Sequence, residues 1–583
     1  MPAFLLKGDG GMFFPTLKKT DMEKVTVTEF PGLDRRESVR MGGFRKMKNL
    51  CSEGYPALRT RPARGLSATV EKPEGLIAKD ALLWVDGRRI YVNGLAAGPE
   101  LAEGEKQLVS MGAYLIVFPD KVYLNTKDLT DWGSLECSRT AAVGAPISLC
   151  DADGAAYSGV VESAGAPEEP EEDALWLDVS GTVPVLRQFS QESWTAVEGV
   201  CVKVQATGLG EGFAAGDGVT ISGCSVERLN GETVLRAVGE DWVAFSGAVA
   251  GSTALKAAVT VSRTVPEMDY VVQSGNRLWG CKYGMADGRA VNEIYASKLG
   301  DFKNWRCFEG LATDSYAAAR GSDGAFTGAV SYLGNPIFFK EHCIERVYAA
   351  SQGAHQIVTT ECSGVQQGSA KSLQVVGGVL MYLSDEGVQA FDGSLPVTVS
   401  QALGEKRLHG GVAGTWRGKY YLSALEEDGT PTLLVYDSER SQWHQEDGLR
   451  AVGFACKGSE LYCLGTDGKL WSLRGESGEA EESFSWMAES GELGLQSPQR
   501  KRLTKLLLQM RPERGKTVTV WVSYDRGASW QKQGQLTGNG SLRGQAVAVR
   551  PRQCRYLRLK LEGSGQCVLF ALTALYERDG DGL

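Results

Sequence analysis

Residues 378–393 read GVLMYLSDEGVQAFDG, in which two short apolar runs are separated by a polar turn and bounded by glycines. Runs of this length that are rich in aliphatic, β-branched and aromatic residues are typical of antiparallel strands joined in hairpins. Similar segments start at Gly334, Gly418 and Gly458, so that the four starts lie 44, 40 and 40 residues apart. A repeat of about 40 residues is the length of one four-stranded propeller blade. The sequence therefore predicts an all-β protein built around a β-propeller.

Earlier and less regular copies of the same unit start at Ala81, Gly112 and Gly275. Together with the four regular copies they predict six or seven blades. The chain contains 73 glycines, well above the usual share of roughly 7%, and the repeat explains this excess as hairpin turns. An irregular stack of β-meanders is the alternative interpretation.

The repeat is interrupted once, because Gly112 and Gly275 lie 163 residues apart. This spacing predicts a small β-domain inserted into the propeller, and the strands after residue 484 lose the blade period and predict a C-terminal β-sandwich. The predicted divisions are an extended basic N-terminal arm with first strands (1–80), the first part of the propeller (81–139), the inserted β-domain (140–265), the rest of the propeller (266–475) and the sandwich (484–583).

The formal net charge of −9 argues against a surface that binds nucleic acid everywhere. Two local patches are basic. Residues 1–70 hold 13 Lys and Arg against 7 Asp and Glu, and a second patch groups Arg500, Lys501, Arg502 and Lys505. We expect solvated side chains or contacts with an acidic neighbouring subunit rather than direct phosphate contacts. The candidate contact residues are Arg35, Arg36, Arg40, Arg45 and Lys46.

Patterns of enzymatic and metal chemistry are missing from the sequence. It contains no phosphate-binding loop, zinc-protease helix, nucleophile elbow or EF-hand loop. The 13 cysteines are scattered without CxxC pairs and the four histidines lack zinc spacing. We therefore predict free thiols in a reducing compartment, no catalytic set, no metal and no cofactor. No apolar run reaches the length of a membrane span, and a secretory leader pattern is lacking, so no membrane anchor is predicted.

Residues 523–530 read SYDRGASW and have the form S-x-D-x-G-x-x-W. This motif resembles the Asp box of sialidase-like propellers, where Asp caps turn amides and Gly supplies a positive φ. We interpret Ser523, Asp525, Gly527 and Trp530 as a structural hairpin. A sialidase would also need arginines, a tyrosine and carboxylates that converge at the propeller centre, and the sequence alone does not place such a set.

The runs of residues 32–64, Asn276–Cys281 (NRLWGC) and residues 292–305 resemble the tail nozzle or tail-hub β-propeller proteins of bacteriophages and prophages. This resemblance implies a structural protein without enzyme activity that forms a ring, usually of six copies. The ring would continue the portal and adaptor channel, retain packaged double-stranded DNA without sequence specificity and pass it at ejection.

Portal and adaptor proteins and other tail components are the implied partners. The implied location is the virion tail, after synthesis in the host cytoplasm. The sequence leaves two alternatives open: a receptor- or carbohydrate-binding tail-tip propeller, and a sialidase-like glycosidase.

Overall fold

The computed structural model describes residues 22–250, 254–349, 355–496 and 499–578. Strands dominate this part of the chain, and the helical segments described in it are the three short 3-10 turns Glu227–Leu229, Ala370–Ser372 and Gln401–Leu403. Among these residues, no helix has the length and apolar character needed to cross a membrane.

Five short strands precede the first propeller sheet. They are β1 (Met22–Val27), β2 (Phe44–Lys48), β3 (Leu50–Cys51), β4 (Leu58–Thr60) and β5 (Gly65–Thr69). β3 and β4 pair with each other. The remaining pairings of these five strands are with strands near the C-terminal end of the described residues.

Two four-stranded antiparallel sheets come next. The first contains β6 (Pro73–Ala78), β7 (Leu82–Asp86), β8 (Arg89–Val92) and β9 (Leu95–Ala97), and the second contains β10 (Gln107–Met111), β11 (Tyr114–Phe118), β12 (Val122–Asn125) and β13 (Trp132–Ser134). Leu83 and Val85 pack against Leu115 and Val117 between the two sheets. Because both faces of β7 and β11 are covered, these strands are almost continuously apolar.

The inserted domain separates the second sheet from the third. Its strands are β14 (Cys137–Ala141), β15 (Ile147–Cys150), β16 (Val161–Ser163), β17 (Leu175–Asp178), β18 (Val185–Ser190), β19 (Ser193–Ala196), β20 (Cys201–Gln205), β21 (Gly218–Ser222), β22 (Gly231–Gly239), β23 (Trp242–Ser246) and β24 (Val259–Arg263). Seven of them form one sheet and β16 to β19 form a smaller one. Cys137 pairs with Arg263, so the insert leaves and rejoins the propeller at neighbouring points.

Five further propeller sheets follow the insert. The third sheet contains β25 (Tyr270–Ser274), β26 (Arg277–Ala286), β27 (Arg289–Ala296) and β28 (Tyr316–Ala319), and the fourth contains β29 (Gly328–Tyr332), β30 (Asn335–Phe339), β31 (Cys343–Ala349) and β32 (His355–Glu361). The fifth sheet contains β33 (Gln374–Val376), β34 (Val379–Ser384), β35 (Gly387–Phe391) and β36 (Val397–Thr398), and the sixth contains β37 (Leu408–Trp416), β38 (Lys419–Glu426), β39 (Pro431–Asp437) and β40 (Gln442–Gln445). The seventh sheet contains β41 (Ala451–Lys457), β42 (Glu460–Gly465) and β43 (Lys469–Ser472), with β44 (Glu479–Ala480) at its edge.

The described residues thus contain seven sheets of one kind, and their first strands face a common axis. β6 contacts both β10 and β41, and contacts continue from β10 to β25, from β25 to β29, and from β33 through β37 to β41. The 3-10 turn Ala370–Ser372 contacts β29 and β37. β5 supplies the outer strand of the seventh sheet by pairing with β43, which joins the two ends of the ring. The predicted all-β propeller fold is confirmed.

A β-sandwich completes the chain. Its remaining strands are β45 (Ser485–Ser490), β46 (Lys501–Pro512), β47 (Thr517–Ser523), β48 (Gln531–Thr537), β49 (Arg543–Ala548), β50 (Gln553–Cys554), β51 (Arg558–Ser564) and β52 (Cys567–Arg578). One sheet has the order β3-β4-β52-β46-β49, with β1 on β52 and β50 on β46, and the other has the order β2-β45-β51-β47-β48. Buried side chains of both sheets share one core.

The structure differs from the predicted division at the N-terminus. Residues 1–21 lie outside the described residues, but residues 22–80 are not an extended arm. β1 to β4 belong to the sandwich, β5 closes the propeller and β6 opens it. The physical reason is that Phe30, Leu33 and Leu50 are buried in the sandwich core, although basic residues surround them in sequence.

Candidate functional site

A cavity of about 780 Å³ lies on the propeller axis. Its wall is formed by residues of β6, β10, β25, β29, β33, β37 and β41 and by the turn before β33. A volume of this size lies within the range of roughly 300–1,000 Å³ in which proteins hold small ligands. The cavity is therefore the best candidate for a functional site in the described part of the chain.

Three carboxylates belong to this wall: Glu74, Glu105 and Asp269. Asp269 is fully engaged, because Oδ1 lies 2.9 Å from Nζ of Lys282 and Oδ2 accepts a hydrogen bond from the amide of Tyr283. Glu74 is engaged through one oxygen only. Its Oε1 accepts the amide of Gly104 at 2.9 Å, whereas Oε2 is buried and has no hydrogen-bond partner among the described residues. An unsatisfied buried acceptor costs free energy, so this oxygen is a ready partner for a ligand donor.

A lysine reaches from one side of the ring towards the other. Lys371, in the 3-10 turn before the fifth sheet, places Nζ 2.8 Å from Oε1 of Glu105 at the start of the second sheet. The same ammonium donates to the carbonyl oxygen of Val452 in the seventh sheet. The ammonium of Lys371 thus links the fifth sheet to the second and the seventh across the cavity wall.

Amide side chains join neighbouring sheets around the cavity. Nε2 of Gln107 donates to the carbonyl oxygen of Asp269 at 2.6 Å, and its Oε1 accepts the amide of Val271. Gln374 donates in the same way to the carbonyl oxygen of Ala413. Because first strands of different sheets do not share a ladder, these side chains satisfy backbone groups that the sheets leave open and hold the wall in place.

Aromatic and aliphatic groups alternate with the polar ones. Tyr270 and Phe454 contribute rings to the wall, with Leu76 and Val412 beside them. Burial raises the pKa of the Tyr270 phenol to about 12, so the hydroxyl is neutral and available as a donor or acceptor. Arg450 donates to the carbonyl oxygen of Gly410, and burial lowers the pKa of its guanidinium. The wall thus offers both hydrogen-bonding groups and flat apolar surface.

One group of metal-type ligands occurs at the contact of the insert with the third sheet. A sulfur of Cys307 and carboxylate oxygens of Glu309 and Asp314 lie within 4.8 Å of one another. The donors are partly committed, since Glu309 forms an ion pair with Arg236 at 2.7 Å and Oδ2 of Asp314 accepts two backbone amides, whereas Oδ1 of Asp314 is buried without a hydrogen-bond partner in the described part of the chain. Burial also raises the pKa of the Cys307 thiol, which opposes formation of a thiolate ligand. The predicted absence of a metal stays a prediction.

The predicted contact residues of the N-terminal segment have partners within the chain. A guanidinium nitrogen of Arg35 lies 2.9 Å from Glu426 in the sixth propeller sheet. Arg36 pairs with Asp34 at 2.7 Å. Arg35 therefore fastens the segment to the propeller, and its role in contacts between subunits stays a prediction.

The other three predicted contact residues lie nearer to the surface. Lys46 is 3.8 Å from Glu489 of the sandwich, and Arg40 is exposed. Arg45 and Lys46 line a cleft of about 660 Å³ between the sandwich and the sixth sheet. Their contacts with a subunit or adaptor likewise stay a prediction.

Two further arginines of this basic region form the junction between propeller and sandwich. Arg61 donates to Glu481 and stacks on Phe484, with 4.3 Å between its guanidinium carbon and the ring centre. Arg64 pairs with Glu446 at 2.7 Å and with Asp447 at 2.8 Å. Burial alone would lower the pKa of Arg64, but the two carboxylates outweigh it and raise that pKa. Arg61 and Arg64 of the basic region are thus neutralised by acids that lie hundreds of residues away in sequence.

The Asp-box motif forms the turn between β47 and β48. Ser523 and Asp525 hydrogen-bond through their side chains at 2.7 Å, and Asp525 accepts the amide of Ser529. Gly527 has φ 91°, where a side chain would be strained, and its amide donates to Ser523. Hydrogen bonds from Ser529 lower the pKa of Asp525 to about 2. Trp530 lies below the ammonium of Lys560, 4.9 Å from its ring centre.

Sequence reasoning missed the cavity residues Glu74, Glu105, Asp269, Tyr270 and Lys371. The available signal is their position, because each lies in or directly before the first strand of a blade repeat or the short turn that leads into it. First strands of all blades meet on the axis, so polar residues there converge even when they are far apart in sequence.

Comparisons with known proteins give structural matches alone. No family model and no curated protein matches the sequence. An exo-β-1,3-galactanase from Phanerochaete chrysosporium, solved with galactose, is similar at 10% identity and a TM-score of 0.20, over 52% of this chain and 94% of that one. A glycoside hydrolase family 43 arabinoxylan arabinofuranohydrolase from Bacillus subtilis matches at 10% identity and a TM-score of 0.14, over 54% and 96%. The endosialidase of phage phi92 matches at 10% identity and a TM-score of 0.16, over 82% of this chain and 65% of that one.

These matches correct two predictions. The matched structures are glycoside hydrolases and an endosialidase, which contradicts the prediction of a structural nozzle or hub ring that conducts DNA and the prediction of a chain without enzyme activity. Both predictions are withdrawn, and the matches do not by themselves assign an activity to this chain. Ring formation, portal and adaptor partners and a virion location stay predictions. At these identities and TM-scores the likeness describes fold, and the function proposed below rests on the cavity instead.

Proposed function

We propose that the propeller binds a saccharide in its central cavity. The observation that carries the proposal is the buried Oε2 of Glu74, which has no hydrogen-bond partner in the described part of the chain and belongs to a cavity wall that also presents aromatic rings. Sugars match such a wall because their hydroxyl groups donate hydrogen bonds while the C–H faces of their rings are apolar.

The polar half of the match comes from the carboxylates. A sugar hydroxyl that donates to Oε2 of Glu74 forms a charge-assisted hydrogen bond, which is stronger than a bond between neutral groups. Glu105 offers a second acceptor, and the ammonium of Lys371 beside it offers a donor to a hydroxyl or ring oxygen. Because the amide side chains of Gln107 and Gln374 already hold the wall, these groups are pre-organised for the ligand.

The apolar half of the match comes from Tyr270 and Phe454. Aromatic side chains supply large, rigid apolar surface, and the tyrosine adds a hydroxyl at its rim. Both rings belong to first strands, β25 and β41, which are fixed by pairing within their sheets. A ring-shaped ligand is therefore favoured over an extended charged polymer.

Hydrolysis of a glycosidic bond is a second candidate function. Glycosidases use two carboxyl groups on either side of the bond, one as an acid and one as a base or nucleophile. The specific observation in its favour is that Glu74 keeps a free oxygen while Glu105 is ion-paired with Lys371 in the same cavity. In this assignment Glu74 protonates the leaving oxygen and Glu105 attacks or activates water. Asp269 is unsuited to either step because both of its oxygens are engaged.

A glycan array probed with the full chain tests the binding proposal. We expect a discrete set of neutral glycans to be retained by the wild type, and retention to fall at least tenfold for Glu74→Gln and Phe454→Ala. Glu439→Gln, at an exposed turn of the sixth sheet, is the matched control and retains the same set. Absence of glycan binding, or equal binding by Glu74→Gln, contradicts the proposal.

Release of reducing ends from the retained glycans tests the second candidate. Activity that Glu74→Gln and Glu105→Gln each abolish, while Asp269→Asn does not, supports hydrolysis. Binding without turnover leaves saccharide binding as the function of the cavity.

A further inference from the structure

The sandwich carries a second pocket, of about 260 Å³, on the side of the Asp-box turn. Its wall includes four arginines and two tyrosines: Arg526, Arg552, Arg555, Arg558, Tyr524 and Tyr556. This group of guanidinium side chains gives the pocket a local positive charge, although the whole chain has a formal net charge of −9. The pocket lies on a different domain from the propeller cavity.

The acids near this pocket do not balance its arginines. Glu492 lies 3.0 Å from Arg526 and 3.7 Å from Arg558, and Glu489 lies 3.6 Å from Arg558. Arg552 and Arg555 form no ion pair with a carboxylate among the residues that the structure describes. The pocket therefore keeps a positive charge that attracts an anion.

Arg558 has an unused donor. Its side chain is only 13% exposed, and its Nε is buried without a hydrogen-bond partner in the described part of the chain. A guanidinium presents its N–H groups in a fork that matches the two oxygens of a carboxylate. An anionic oxygen at this nitrogen would satisfy a donor that is already removed from water.

The Asp-box turn fixes one side of the pocket. Arg526 has φ 60°, a left-handed conformation held by the hydrogen bonds that Ser523 and Asp525 make around it. This conformation turns Arg526 towards Glu492. The turn that sequence reasoning treated as structural thus also presents a charged side chain to the pocket.

The two tyrosines add a flat surface. Tyr524 donates its hydroxyl to the carbonyl oxygen of Arg550 at 3.2 Å, which fixes its ring, and the guanidinium carbon of Arg552 lies 5.8 Å from the ring centre. Tyr556 is 48% exposed at the rim. Rings beside a carboxylate-binding fork suit an anion that is attached to a sugar ring better than a free inorganic ion.

We infer that this pocket binds the carboxylate of an acidic saccharide, such as a hexuronate or sialate residue. The inference rests on the proposed function only in that the ligand is a saccharide, because the residues, the domain and the charge of the two sites differ. It predicts that one chain holds a neutral sugar in the propeller and an acidic sugar on the sandwich.

The test uses an array on which acidic glycans stand beside counterparts whose carboxyl groups are reduced to alcohols. We expect the full chain to retain acidic members at least tenfold better than their reduced counterparts. Arg558→Gln and Arg552→Gln each remove this preference, whereas Arg514→Gln, an exposed arginine at another turn of the sandwich, keeps it. Arg552 is exposed, so this variant tests the site even if Arg558→Gln fails to fold.

Three outcomes with the wild type overturn the inference: no acidic glycan is retained, acidic and reduced glycans are retained equally, or inorganic phosphate at equal concentration displaces acidic glycans completely, which would indicate a site for free phosphate. Glu74→Gln separates this inference from the function of the propeller. Loss of neutral glycans by Glu74→Gln with retention of acidic ones supports two separate sites, whereas loss of both would place acidic glycans in the propeller cavity and overturn the inference. If the wild type retains neutral glycans but no acidic ones, the inference fails while the proposed function of the propeller stands.

Discussion

The junction between propeller and sandwich and the cavity on the propeller axis both contain buried charged groups. These groups are ion-paired at the junction, whereas one of them in the cavity is unpaired among the residues that the structure describes. At the junction, Arg64 faces Glu446 and Asp447, and Arg61 faces Glu481. In the cavity, Glu74 forms no ion pair within the described residues and keeps one oxygen without a partner. Charges that are matched inside the chain hold domains together, whereas an unmatched one is available to a ligand.

The largest effect is expected from removing an arginine of the junction. Arg64→Ala leaves Glu446 and Asp447 without their main counter-charge, and breaking a buried pair in this way costs about 3–5 kcal/mol. Urea unfolding measures this loss. A change below about 1 kcal/mol would mean that the junction charges do not stabilise the chain and would remove the contrast with the cavity.

A pH dependence is expected at the same junction from His444, which is 2% exposed. Burial and the neighbouring Lys419 lower its pKa to about 3, with Asp437 opposing and Arg440 adding to the shift. Since the unfolded pKa is about 6.5, the contribution of His444 to stability is complete above pH 6.5 and is lost as the pH falls towards 3, by up to about 1.4 kcal/mol per pH unit.

Unfolding free energies between pH 7 and pH 4 measure this slope for the wild type and His444→Gln. We expect the variant to have the shallower slope, whereas His409→Gln, at an exposed histidine of the same sheet, keeps the slope of the wild type. Equal slopes for wild type and His444→Gln would show that this histidine is not held neutral.

A smaller effect on stability is expected in the cavity. Glu74→Gln keeps the acceptor for the Gly104 amide, removes the charge and replaces the unpartnered oxygen by an NH2 donor, so its unfolding free energy should change by less than about 1 kcal/mol. Its saccharide binding should fall at least tenfold, which corresponds to about 1.4 kcal/mol of binding free energy. Calorimetric titration with a glycan retained on the array measures this loss. A strongly destabilised Glu74→Gln would place this residue with the junction instead.

The smallest effect is expected from Arg36→Gln. Arg36 pairs with Asp34 at 2.7 Å, but its side chain is 54% exposed, and surface pairs contribute about 0–1 kcal/mol. Urea unfolding beside Arg64→Ala measures the difference between an exposed and a buried arginine of one segment. A loss as large as that of Arg64→Ala would show that burial does not set the contribution of these ion pairs.

The repeat that starts at Gly334 and Gly378 predicted the propeller because the second strand of each sheet is covered on both faces. Such strands, for example β34 with VLMYLS, are strongly apolar and are therefore easily recognised as strands in the sequence. First strands are harder to recognise. β6, with PEGLIA, faces a polar cavity on one side and shows no clear pattern, so Glu74 was not singled out.

The acidic partners of the N-terminal basic residues could not be predicted from the sequence either. Arg64 is paired with Glu446 and Asp447, and only the folded ring brings these positions together. Net charge within a segment of 70 residues therefore overstated how much positive charge remains at the surface. Conversely, three of the four arginines of the sandwich pocket belong to the basic stretch RPRQCRYLR of residues 550–558, which the sequence analysis did not single out, and the fourth, Arg526, joins them only in the folded sandwich.

The most direct test of the central claim is the glycan-array profile of the full chain measured side by side for the wild type and Glu74→Gln. The account predicts that the wild type retains a discrete set of neutral glycans and that Glu74→Gln loses this set while remaining as stable as the wild type. A variant that retains the same neutral glycans with equal strength would contradict saccharide binding in the propeller cavity.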